Sequence, residues 1–227
     1  MKSYQPVVAR LLDELRPKTV LDAPCGSGWL AGMLRFDCSL DGIDLFGRTP
    51  ASYRSFHAAD LDEGLPETLG EYDAIVCCEG LEHLGNPGLF LRCALRHLRA
   101  AGTLVVSTPN VWYPGSRLQY LMRGFFPGFP SLAGRIRRGT HMHIMPWSFP
   151  QLYLYLSLAG FDRIRLHDVP EARPKHAYEW LLGLPQHLYC AAKARNAPSE
   201  AERSYWLQAG SRQSLFGRRL VVSAMRA

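Results

Sequence analysis

A chain of 227 residues, 47% hydrophobic and 20% charged, has an ordinary globular composition and can bury a core without disulfide or metal staples. This excludes disordered, collagenous, coiled-coil and small disulfide-scaffold classes, and no apolar run approaches the roughly 20 residues that cross a bilayer. The formal charge of +6 permits contact with nucleic acid, anionic lipid or acidic metabolites and selects none of them.

Residues 3–15 carry Val7, Val8, Leu11, Leu12 and Leu15 at helical spacing. With Asp13 and Glu14 present and no cleavage pattern, this opening does not read as a signal peptide, and a soluble protein is expected. A buried strand is predicted over 19–23, a helix over 28–36, a second strand over Ser39–Asp44, a short third over 55–59 and a fourth over Tyr72–Cys78. Pro87 is well placed to open a helix running to about Arg99, and 102–107 reads as the fifth strand. Such alternation signals βαβ units and a parallel sheet.

Beyond Pro109 the pattern changes. Residues 110–140 are rich in Gly, Pro and aromatics and hold Arg117, Arg123, Arg135, Arg137 and Arg138 without an acid. The expectation is one domain over 1–227 with a lid or substrate-binding insertion over 110–147. Ser148 then caps a helix to Ala159, Gly160 ends it, and 161–169 is the sixth strand. The last strand falls either at 187–194 or at 218–225, and the branched run RRLVVSAM favours the second. Six cysteines without a CxxC pair fit free thiols in a reducing cytoplasm.

The densest segment is Val20-Leu21-Asp22-Ala23-Pro24-Cys25-Gly26-Ser27-Gly28-Trp29-Leu30-Ala31. A strand ends in an acid, a tight turn follows, and the N–H groups of a helix start would suit an anion. Gly26-x-Gly28-x-x-Ala31 formally matches a dinucleotide fingerprint, with Asp44 as the ribose acid. Asp22, four positions before Gly26, argues the other way: it would repel a pyrophosphate and suits a ligand bearing an ammonium group.

Over roughly residues 20–168 the chain resembles the class I S-adenosylmethionine-dependent methyltransferases, whose first motif is an acid followed by spaced glycines. One departure is Pro24, where that family usually has its first glycine. The resemblance implies an α/β, doubly wound, mostly parallel seven-stranded sheet, Rossmann-like, with a lid after the fifth strand. It implies S-adenosylmethionine as cofactor and S-adenosylhomocysteine as product. Asp22 and Gly26 would contact the methionine amino and carboxylate end, and Ala23, Cys25, Gly28 and Glu79 would also belong to the cofactor pocket. Asp44 would accept both ribose hydroxyls, Asp60 the adenine amino group, and Leu45 and Leu61 would sandwich the base. Asp60 also suits a plain turn before Asp62-Glu63-Gly64.

After the fourth strand comes Glu79-Gly80-Leu81-Glu82-His83. On a helical turn Glu79, Glu82 and His83 would share one face, a credible divalent-cation site. The pattern is similar to the metal-using branch among small-RNA 2′-O-methyltransferases and ubiquinone-pathway O-methyltransferases. In the RNA enzymes a further ligand histidine stands four residues before a Trp, as His143 stands before Trp147, with His141 beside it. The implied metal set is Glu79, Glu82, His83 and His143. In the competing reading ExxEH only shapes the pockets and a histidine acts alone as base.

Removing the acceptor proton is the main demand on the protein, so His83 and His143 are the candidate catalytic residues. The expected reaction is in-line methylation of an oxygen on a small-molecule, glycan or lipid-like acceptor. The basic and aromatic stretch 117–138 would serve as a flap touching a membrane surface, as a platform for an RNA end, or as a lid packed over the site. Nucleic acid is the less expected partner, since no RNA-binding module accompanies the domain. A non-catalytic S-adenosylmethionine-binding protein on the same fold is the alternative class. His176, Trp180 and His187 fit either the substrate side or helix packing.

Overall fold

Alternation along the strands decides how the sheet is covered. The computed structural model describes residues 1–46, 52–129, 142–170, 172–174 and 176–227. Its strands are β1 (Thr19–Asp22), β2 (Ser39–Asp44), β3 (Ser55–Ala58), β4 (Tyr72–Cys78), β5 (Leu98–Pro109), β6 (Phe161–His167) and β7 (Arg219–Arg226). Its helices are α1 (Gln5–Leu15), α2 (Pro87–His97), α3 (Pro114–Arg123), α4 (Phe149–Ala159), α5 (Ala177–Arg195), α6 (Glu200–Ala209) and α7 (Arg212–Phe216). The strands form a seven-stranded sheet in the order β3-β2-β1-β4-β5-β7-β6. All pairs from β3 to β5 are parallel, and β7 runs antiparallel to both β5 and β6.

Successive side chains point to opposite faces of a strand. Val20, Ala74, Val76, Val105 and Val221 therefore meet Val7, Val8, Leu11 and Leu12 of α1 in one core. Their neighbours Leu21, Ile75, Cys77, Leu104, Val106 and Val222 meet Phe90 and Leu91 of α2 and Leu152 and Leu156 of α4 in the other. Burying the four α1 side chains alone contributes roughly 6–12 kcal/mol of transfer free energy, an upper bound. The doubly wound expectation holds. Local signals held as well: Ser148 accepts from Gln151 N at 3.4 Å, and Gly160 closes α4 at φ 98°.

One reading changes, and one open choice is decided. Residues 28–36 are a series of turns, not a helix. Gly26 and Gly28 enter them at φ 52° and 76°, and the Arg35 amide donates to Asp13 Oδ1 at 3.0 Å instead of to a helical carbonyl. Residues 187–194 belong to α5, and β7 takes the sheet position, as its branched side chains favoured. The expected lid contains α3, with residues 130–141 outside the described set. No described helix is long and apolar enough to cross a membrane. All six cysteines are free, five of them buried.

Candidate active site

The strand order reverses between β1 and β4, and in open α/β sheets ligands bind outside the carboxyl ends of strands at such a reversal. A cleft of about 1160 Å³ opens there. Asp60 and Leu61 follow β3, Asp44 and Leu45 follow or end β2, and Cys25 and Gly26 follow β1. Beyond the reversal come Glu79, Glu82 and His83 after β4, then Tyr113 and Ser116 after β5. Because β7 is antiparallel, its starting residues Arg218 and Arg219 reach the same edge.

Asp22 does not line this cleft; it is fully buried beneath it. Tyr53 donates to its Oδ2 at 2.5 Å, and Oδ1 has no hydrogen-bond partner among the described residues. Burial pushes the Asp22 carboxyl up to about 7 against the pull of the Tyr53 hydrogen bond. Tyr53 reaches it because position 42 lacks a side chain: a Cβ on Gly42 would lie 2.8 Å from Tyr53 Cδ2 and 2.9 Å from Cys25 Sγ. Asp22 was expected to meet a methionine amino group; the structure instead puts it under the turn, outside the cleft lining, with one carboxylate oxygen held by Tyr53. Ala23, with no exposure, and Gly28 also stay outside the lining.

Asp44 holds the turn from the side. Its Oδ2 accepts from Gly26 N at 2.9 Å and its Oδ1 from Phe46 N at 3.1 Å, while the side chain stays on the cleft wall. A Cβ on Gly26 would meet nothing within 4 Å, so a ligand can approach the backbone there. Asp60 lines the cleft and also caps the short helical turn Leu61–Glu63, accepting from Asp62 N at 3.0 Å. The turn reading of Asp60 is borne out, and its position on the cleft wall leaves the nucleoside role open to a ligand. Leu61 is buried and Leu45 is 38% exposed, so Leu45 can still be covered by a ligand. A smaller cavity of about 440 Å³ shares Leu45 and Asp60 with the cleft. Two acceptor-only carboxylates, an open glycine and apolar side chains between them fit a ribosylated adenine.

The ExxEH segment is not one helical turn. Glu79 sits at φ 53°, and a 3-10 turn begins only at Leu81–His83. Glu79 therefore leaves its expected partners and pairs with Arg219, with Lys2 Nζ at 3.9 Å. Glu82, His83 and His143 do come together, with one possible ligand atom from each lying within 4.8 Å of the others. His83 Nδ1 lies 2.8 Å from the Met142 carbonyl, which can only accept, so Nδ1 carries the proton and Nε2 is the basic nitrogen. Glu82 Oε1 stands 3.9 Å from that Nε2. The His83 and His143 rings are 5.1 Å apart, edge to face.

Glu82 receives a hydrogen bond from Thr108 Oγ1 at 3.1 Å on Oε2, while Oε1 is buried without a hydrogen-bond partner among the described residues. Burial first, and then the Glu79 charge, push its carboxyl up to about 8. That orphaned oxygen and two imidazoles make a donor set suited to a divalent transition ion, whose charge would restore the carboxylate. Glu79 falls outside this set because Arg219 holds it.

Sequence reasoning missed Arg218, Arg219, Tyr113, Ser116, Tyr53 and Lys2. A signal was present for the arginines, since RR directly before a strongly apolar strand puts two cations at a strand end. Tyr53 carried no local signal. His187 lies away from the cleft lining: its Nδ1 is 3.0 Å from the Gly210 carbonyl, and Trp180 packs on Phe216 at 5.2 Å.

A family model described as a methyltransferase domain matches residues 2–166. The ubiquinone biosynthesis O-methyltransferase of Marinobacter nauticus is 32% identical over 129 residues, 48% of this chain and 53% of that protein. The chain spans about half the length of the curated relatives it matches. Among solved structures, a SAM dependent methyltransferase from Archaeoglobus fulgidus aligns with a TM-score of 0.55 at 14% identity, covering 97% of this chain and 94% of that one. The Burkholderia thailandensis 1,6-didemethyltoxoflavin-N1-methyltransferase, solved with S-adenosylhomocysteine, aligns with a TM-score of 0.55 at 16% identity, covering 98% and 77%. These two structures agree with the fold.

Proposed function

Since the chain belongs to the class I S-adenosylmethionine-dependent methyltransferases, we propose that it methylates an oxygen of a small-molecule, glycan or lipid-like acceptor. The observation carrying this reading is a single cleft that joins an acid-lined nucleoside end, Asp44 and Asp60, to the His83–His143 pair across the strand reversal. The relatives' printed activity, O-methylation, supports oxygen as the acceptor atom.

When bound, the cofactor supplies a sulfonium-activated methyl group. The chain's own residues then bind, orient and move a proton. Asp44 and Asp60 would accept from the ribose hydroxyls and the adenine amino group, and Leu45 and Leu61 would flank the base. An acceptor hydroxyl bound beside His83 would give its proton to Nε2, whose tautomer the Met142 carbonyl fixes. His143 packs on His83 and is held close by Gly128, where a Cβ would come within 2.8 Å of His143 Cε1.

A second reading has a divalent ion on Glu82, His83 and His143, favoured by the orphaned Glu82 Oε1. Such an ion would lower the pKa of a coordinated acceptor hydroxyl. Peripheral contact with a lipid surface is also part of the proposal: Leu121, Met122 and Phe125, in and after α3, are 78%, 74% and 55% exposed. The rest of that basic stretch lies outside the described residues. Co-flotation with anionic vesicles, lost in Leu121→Asp, tests it.

The central test is calorimetric titration of S-adenosylhomocysteine into the purified chain and into Asp44→Ala. Saturable binding that Asp44→Ala abolishes supports the reading, and no binding to the parent chain overturns it. Binding without turnover on any hydroxylated acceptor would favour the non-catalytic alternative.

A further inference from the structure

At the β5–β7 end of the cleft one arginine is held in place from three directions. The Arg218 carbonyl accepts from Asn110 N at 3.0 Å, which ties its backbone to the end of β5. Asn110 Nδ2 also bonds the Ser214 and Gly217 carbonyls at 3.0 and 2.8 Å, fixing the turn that delivers Arg218. The guanidinium lies 3.7 Å over the Tyr113 ring, and its Nη2 donates at 2.9 Å to Glu179, which is 1% exposed. Glu179 gets this close to the start of α3 because position 115 is glycine; a Cβ there would stand 3.3 Å from Glu179 Oε1.

The remaining terminal nitrogen is the unexplained atom. Arg218 Nη1 is buried and makes no hydrogen bond among the described residues. Ser116, one helical turn from Tyr113, is fully buried, lines the same cleft, and its Oγ also lacks a partner there. A guanidinium that is stacked, backbone-pinned and anchored by a buried carboxylate has little further freedom to lose on binding. Leaving its second donor face unfilled is costly unless a ligand oxygen takes it. Arg218 also stands four strand spacings from Asp44, about 19 Å at about 4.8 Å per spacing, on the far side of the reversal from the nucleoside end.

We infer that Arg218 and Ser116 form an acceptor subsite for an anionic oxygen, a carboxylate or a phosphate, so that the methyl acceptor carries a negative charge. The inference rests on the methyl-transfer reading and narrows its acceptor class. Arg218 binds and orients the acceptor, and it takes no part in proton transfer. The Arg219–Glu79 pair is a separate cation on the β4 side and is not part of the subsite.

The test follows backbone amide resonances of labelled protein during titration with benzoate, inorganic phosphate and the neutral benzamide. Benzoate or phosphate should shift the Gly115, Ser116 and Arg218 amides saturably, and benzamide should not. Arg218→Met should weaken the response about tenfold or more, the usual scale for a charge-assisted hydrogen bond. Ser116→Ala, which keeps the Glu179 pair, should weaken it several-fold, so the test survives if Arg218→Met does not fold. Whichever anion saturates at lower concentration identifies the source of the charge. Equal shifts from benzamide, anion shifts confined to Lys2 and Arg219, or no anion response in protein that binds S-adenosylhomocysteine would overturn the subsite and spare the cofactor reading. Anion binding at Arg218 in protein that never binds S-adenosylhomocysteine would overturn the methyl-transfer reading instead.

Discussion

Gly80→Ala isolates the contact that holds the two halves of the site together. Gly80 has ordinary dihedrals, φ −117° and ψ −48°, so an alanine there meets no backbone penalty and acts only through space. Its Cβ would lie 3.0 Å from both Pro24 Cγ and Cys77 Sγ, and closer still to Pro24 Cδ. Carbon atoms settle near 3.5–4.0 Å, so one turn must retreat by about 1 Å. Pro24 belongs to the β1 turn and cannot swing away as a flexible side chain would, and Cys77 is a fully buried residue near the end of β4. The cost expected for such overpacking is about 1–3 kcal/mol, a fall in Tm of roughly 2–12 °C for a chain of this size. The shift also moves Gly26 relative to Glu82 and His83, and misplacement by about 1 Å can cost about 100-fold in rate. Gly85→Ala is the control, because its Cβ would meet nothing nearer than Asp62 at 3.8 Å. Thermal unfolding and S-adenosylhomocysteine calorimetry on both variants give the answer. A Gly80→Ala protein with parental Tm and affinity would refute the argument that the Pro24 and Gly80 turns are packed to contact.

Other outcomes follow from the same geometry. Burial raises the Asp22 carboxyl from 3.8 to about 7, so its folding contribution is fully present below about 3.8 and is lost as pH rises through about 7. Chemical denaturation of parent and Asp22→Asn across this range should show a pH slope in the difference that levels off above pH 7; a difference flat in pH would contradict the buried placement. His83→Ala should keep cofactor affinity while turnover falls by about 10²–10⁴-fold, as measured by product formation under saturating cofactor. Parental turnover would remove His83 from the chemistry. Chelation should leave turnover within about twofold if His83 acts directly, and activity lost to chelator and restored by a divalent ion would replace the base by the metal reading.

Much of the sheet was legible because strand position depends on local alternation and turn chemistry. Tyr72–Cys78 was read with its observed bounds, and the cap at Ser148 and stop at Gly160 bracket α4 as expected. Asp44 and Asp60 were legible through the resemblance, which names acids at or just after the second and third strands, and both line the cleft.

Tertiary structure alone decided which partners the remaining groups took. Asp22 was read as a ligand residue, yet Tyr53, 31 positions away, captures it in the interior. Glu79 shared a plausible face with Glu82 and His83 until Arg219, 140 residues on, claimed its carboxylate. Residues 28–36 carry helical spacing, but the Asp13 side chain from α1 takes the Arg35 amide that a helix would have used. Arg218 became a poised guanidinium only through Glu179, 39 residues earlier, and the ring of Tyr113. A local pattern specifies backbone geometry and the direction of a side chain. A charge or a hydrogen-bonding group satisfies itself with whatever partner folding brings within about 3 Å, and that partner is set by strand order and packing.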